Sequence, residues 1–171
     1  GRSDAFVYQV PNVNQCAGCH ATDHAAKAML PIGLKSRHLD REGQLEQLAL
    51  IGYLKGLPPA GGRFRAPDWR DESVPVEARA RAWLDINCAH CHSAKGPADT
   101  SGLFLDTAAA GPALGLCKPP VGAGQGTGGF LHGIEPGDPD RSILIFRTAS
   151  TDPGAMMPEL GRALAHDEGV A

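Results

Sequence analysis

Aromatic residues are scarce in this chain, with two Trp, two Tyr and five Phe among 171 residues. A protein this short with so few large rings needs another source of apolar core, such as a metal, disulfides or a large cofactor. Long apolar runs are missing too. None approaches the ~18 residues that span a bilayer, so no membrane-spanning segment is expected. The net charge of −3 carries no basic stripe, which argues against nucleic acid as the partner. Gly1 to Phe6 lack the charged and apolar regions of a signal peptide, so any export signal is expected to have been removed. Glycine and proline are plentiful instead, at 22 and 14 residues, but they are spread among apolar segments. That pattern predicts a loop-rich globular protein rather than disorder. The length suits one ordinary domain or two small ones.

Four of the five cysteines fall in a repeated pattern. Residues 16–20 read Cys-Ala-Gly-Cys-His, and residues 88–92 read Cys-Ala-His-Cys-His. Three chemistries use paired Cys-x-x-Cys. A thioredoxin-like dithiol has the spacing but does not require a following histidine. A zinc site built from Cys16, Cys19, Cys88 and Cys91 leaves the histidines unexplained as well. Covalent c-type haem requires them, because two thiols add to the haem vinyl groups and the adjacent histidine ligates iron. With 7 histidines in 171 residues, chance places one after both pairs with a probability of only about 0.002, the square of 7/171. The favoured expectation is two covalently bound haem c groups, held by Cys16, Cys19 and His20 and by Cys88, Cys91 and His92.

Hydrophobic spacing predicts mostly helix around these motifs. Ser73 is a candidate N-cap, Pro75 suits an early helical position, and Val76, Ala80, Trp83 and Leu84 share one face of a helix over 73–87. That helix would run directly into the second motif. Residues 43–56 predict another helix, with Leu45, Leu48, Ala49 and Gly52 as its stripe and Gly56 as its stop. Leu57 to Gly62 break the pattern, and the polar stretch beyond them reads as a linker. The expected organisation is therefore all-α, with a first module at 1–60, a linker at 61–72 and a second module at 73–171.

The order helix, Cys-x-x-Cys-His, loop, Met-Pro, helix resembles class I cytochrome c domains. Residues 31–39, 87–103, 115–120 and 156–161 resemble more closely a family of bacterial di-haem cytochromes, exported proteins mostly without an assigned role. The resemblance covers nearly the whole chain and implies the fold and the cofactor, though hardly a physiological partner. In the class I pattern the iron-binding methionine commonly precedes a proline, which also keeps that residue out of the α region. This favours Met157 over Met156 as the second ligand at His92, the alternative being that both simply pack in the core. A thioether ligand would give that site the higher potential if the other is bis-histidine. At the first motif His24 sits one turn from His20, on the same side. Pro31 resembles the class I proline whose carbonyl receives the histidine's second N–H, which would put Met29 on the proximal side. His38 is the favoured distal ligand there, with Met29 or an open position as alternatives.

Other features point to less. Cys117 is expected to be buried and inert. Gly122 to Gly129 lack the strand, lysine and acid of a nucleotide loop and predict a flexible loop near a haem edge. Residues 136–140 predict turns leading to a short apolar segment at 142–147. His90, His132 and His166 are expected at the surface, with His166 opening a short closing helix. The function that follows is single-electron transfer between redox partner proteins, not enzyme catalysis, in the periplasm or at the cell surface, with homo-oligomers or larger assemblies left open. The alternative is a di-haem peroxidase or oxidase with one open iron.

Overall fold

A computed structural model describes residues 5–23, 25–26 and 28–171, so the expectation for His24 lies outside the described residues. The fold is mostly helical, with short helices joined by long loops. Helix α1 (Val13–His20) opens on a capping box. The Asn12 side chain accepts from the Gln15 N–H at 3.0 Å, and the Gln15 side chain accepts from the Asn12 N–H at 2.9 Å. A small antiparallel ribbon follows, β1 (Ala21–Asp23) and β2 (Ala28–Met29), with Ala21 opposite Met29. The fold is thus not purely α, and this ribbon is what turns the chain back beside the first motif.

Helix α2 (Ser36–Leu39) packs on α3 (Gln44–Leu50). The second of these starts at Gly43, whose φ of +73° glycine alone adopts freely, and it buries Leu45. It ends at Leu50 rather than near Gly56, because the chain turns through Gly52 at φ +82°. The stretch expected as a linker is irregular but well anchored. Ala66 is buried and its N–H donates to the Arg37 carbonyl at 2.9 Å, while Arg41 pairs with Asp68 at 2.8 Å.

Helix α4 (Val76–Asn87) begins with Pro75, not Ser73, at its N-cap. Ser73 is taken up instead by Asp71, which accepts from both its N–H and its hydroxyl. The expected face is also displaced. Val76 and Ala80 are exposed, and the inward stripe runs through Ala82 and Asp85 to Ala89. Helix α5 (Ile143–Ala149) and α6 (Asp167–Val170) complete the fold, where the turns before 142 and the short closing helix were expected. Gly122 to Gly129 contain a 3-10 turn packed against α5, with Gly128 so close to the Phe146 ring that a Cβ would lie 2.9 Å from it.

The position of Asp85 at the centre of the α4 stripe is explained by its partners. Its carboxylate, fully buried, accepts from Arg37 Nε at 2.8 Å and Nη2 at 2.7 Å, and from Lys35 Nζ at 3.0 Å. His38 Nε2 reaches the same carboxylate at 2.5 Å, and Lys35 also donates to the Asp85 carbonyl at 2.6 Å. Burial pushes the Asp85 pKa up, but the bonds from Arg37, His38 and Lys35 outweigh it and hold the carboxyl well below its usual range. Replacing Asp85 with Asn leaves Lys35 and Arg37 beside no anion. We expect Asp85→Asn to cost about 3 kcal/mol in urea denaturation at pH 7, the lower end for breaking a buried pair, since both cations keep some contact with water. A carboxylate whose pKa falls on folding contributes fully above its unfolded value of about 3.9 and loses that contribution as pH drops toward the folded value. The difference between wild type and D85N should therefore shrink progressively as denaturation is repeated below pH 4.

Candidate functional site

The two Cys-x-x-Cys-His segments reach their places differently. The first lies wholly within α1, so Cys16, Cys19 and His20 project from its last turns. The second follows α4, as expected. There Cys88 closes the helix through its N–H to the Leu84 carbonyl at 2.8 Å, and His92 turns back to the Cys88 carbonyl at 2.9 Å. Behind it, Gly96 is buried against the backbone of His90 and Cys91, and a Cβ there would stand 2.2 Å from the Cys91 carbonyl oxygen.

Both histidines are held in the same way. His20 Nδ1 lies 2.9 Å from the Leu30 carbonyl, ten residues on. His92 Nδ1 lies 3.2 Å from the Leu103 carbonyl, eleven residues on. A carbonyl can only accept, so Nδ1 carries the proton and Nε2 is the nitrogen left for a metal. Leu30, not Pro31, is thus the acceptor for His20, because the β1–β2 ribbon sets Leu30 directly opposite it and returns its N–H to the His20 carbonyl at 2.9 Å. His92 is buried, and burial lowers its pKa, favouring the neutral imidazole that ligates metals.

A cavity of about 530 Å³ opens on the second motif, lined mostly by apolar surface. Cys91, His92 and Met157 all face it, and among the described residues Met156 does not line it. The Met157 N–H donates to the Arg147 carbonyl at 2.9 Å at the end of α5. Arg162 braces that end through the carbonyls of Arg147 and Thr148, each at 3.0 Å. Two cations also line the cavity. Lys118 donates to the Ser101 carbonyl at 2.9 Å, and Arg147 donates to the Ala155 carbonyl at 2.9 Å. The cavity falls within the range usual for cofactor pockets.

A thioether-bound haem would use the two thiols and the imidazole of each motif. Burial pushes the Cys88 thiol up to about 12 and the Cys91 thiol up to about 11. All five cysteines are free thiols. Among the described residues, no group of three or more His, Cys, Asp or Glu side chains is arranged to hold a metal ion.

Other residues fall away from their expected places. His38 has its Nε2 committed to Asp85, and its Nδ1 is buried with no hydrogen-bond partner. Met29 is half exposed on β2, next to the Leu30 that holds His20, so it lies beside its own motif histidine. Cys117 is exposed rather than buried, since a φ of +52° turns it outward after Gly115. His90 is half-buried rather than on the surface, with its Nδ1 buried and unpartnered. His132 Nδ1 pairs with Glu135 at 2.5 Å, and the exposed His166 stacks on Trp83 with ring centroids 5.9 Å apart. Sequence reasoning missed the two leucine carbonyls, the Asp85 cluster and Gly96. Only the second had a visible signal, namely a lone Asp inside the apolar Trp-Leu-Asp-Ile run together with Lys-Ser-Arg-His at 35–38.

Compared with family models, curated proteins and solved structures, the chain matches none. Among the described residues no helix is long and apolar enough to cross a membrane.

Gly96→Ala forces a Cβ into carbonyl groups of the backbone that cannot give way as a flexible side chain would. We expect it to lose about 1–3 kcal/mol in thermal denaturation, the usual cost of overpacking, whereas Gly61→Ala, in open space, should be neutral.

Proposed function

We propose that this chain is a di-haem c-type cytochrome-like protein that carries single electrons between redox partners outside the cytoplasm. Cys16, Cys19 and His20 would hold one haem, and Cys88, Cys91 and His92 the other, with Met157 as the second axial ligand at His92. The bound groups supply irons that gain and lose one electron each. The observation that carries the reading is the shared treatment of the two histidines. Each offers Nε2 while a leucine carbonyl holds Nδ1, as expected of an imidazole oriented for a metal. His92 and Met157 line one cavity, which supports their pairing across an iron. Its apolar walls would keep water from the site and, with the methionine, favour the reduced state. The extracytoplasmic location rests on chemistry, since bacterial c-type haem is attached after export.

A second reading is an enzyme of the di-haem peroxidase or oxidase type, with an open iron at the first motif. One observation favours it. Asp85 engages the histidine expected as the distal ligand there.

A sample matured in an export pathway should exceed the polypeptide mass by two haem groups, and a colourless or lighter product would overturn the proposal. Carbon monoxide added to the reduced protein separates the two readings. A carrier with both irons six-coordinate shows little spectral change, whereas an open first site binds the gas. In the variant Met157→Ala, the second site should gain carbon monoxide binding and its potential should fall.

A further inference from the structure

Resting on the haem assignment above, we propose that Cys19 and Cys91 form a shared attachment edge, so the two motifs act as one coupled unit rather than as two independent modules. The Cys91 thiol donates to the Gly18 carbonyl at 3.8 Å and lies against the Cys19 thiol. Gly18 and Cys19 of α1 line the same cavity as Cys91 and His92. The second cysteine of each motif therefore faces the second cysteine of the other, across a contact between segments some seventy residues apart in sequence.

A thioether consists of a single sulfur between the protein and the edge of the ring, so an attached group cannot move its edge away from its cysteine. Two such sulfurs side by side hold two ring edges together, whichever plane each ring adopts. Charge added at one site would then be felt at the other across a short path. The groups held by His20 and His92 would each supply an iron able to accept one electron from a donor protein, with no bond made or broken. The coupling consequently appears as a dependence of one site's affinity for its electron on the state of the other.

The test begins with mass analysis of the matured protein, which must carry two groups. Electron paramagnetic resonance of the fully oxidised sample is then compared with a sample poised at half reduction. Coupled sites give ferric signals broadened by their neighbour, and these sharpen when the neighbour becomes ferrous. A double variant, Cys16→Ser with Cys19→Ser, should carry one group by mass. The reduction equilibrium of its remaining site should differ at least tenfold from the same site in wild type, which is about 59 mV for a one-electron couple. Two groups by mass with line shapes unchanged at half reduction would overturn the coupling and leave the proposed function standing. Fewer than two groups in wild type would overturn both. Should the double variant fail to mature, the wild-type comparison at half reduction decides the matter alone.

Discussion

The fully buried carboxylate of Asp85 is the constraint on which the rest of this structure depends. It lies three residues before Cys88 on α4, and it is gripped by Lys35, Arg37 and His38 from the segment that follows Leu30. Leu30 in turn holds His20. One cluster therefore fastens the chain after the first motif to the helix that introduces the second. A buried carboxylate is costly to desolvate, and it is tolerated here because three cationic or protonatable side chains share it. An apolar pairing at this point could slide. The bidentate Arg37 contact fixes both distance and orientation between the two segments that carry the motifs.

The apolar core around this anchor is thin. Among the described residues, five of its eight buried apolar side chains are alanines, and the other three are Leu45, Leu105 and Ile143. Phe6, Tyr8, Tyr53 and Phe64 are all more than half exposed. A chain of this length with so little buried aliphatic volume has little hydrophobic driving force of its own. Charge pairing and a large bound apolar group would supply what the side chains do not. The scarcity of aromatics in the sequence and the alanine-rich interior are two views of the same property.

What could be read from sequence followed the strength of the local signal. The twin motifs were legible because two cysteines and a histidine recur at the same spacing. Helix α4 was legible in extent to within a few residues, but its face was not, since hydrophobic spacing assigns the inward side to Val76 and Trp83. The real inward stripe is small and polar, Ala82 and Asp85, and its burial depends on cations about fifty residues away that no local pattern can reveal. The same reason hides the carbonyls of Leu30 and Leu103, because a backbone acceptor leaves no trace in residue identity. His38, expected as a distal ligand, has its Nε2 against the Asp85 carboxylate, a partner that no local pattern announces.

The charge balance around the second motif bears on its chemistry. Lys35 and Arg37 both pair with Asp85 close to Cys88, and Arg37 also feels the charge of Asp106. Lys118 and Arg147 add two more cations on the wall of the cavity itself, and only Glu159 opposes them there. Positive charge beside a redox centre stabilises its electron-rich form, and it does so more strongly where water is excluded. The thioether of Met157 acts in the same direction. Fixed cations, apolar walls and axial sulfur would thus all raise the potential of the site at His92. At the first motif His20 stands on a half-exposed α1 beside an exposed Met29. Under the proposed function, these surroundings would make the two sites unequal.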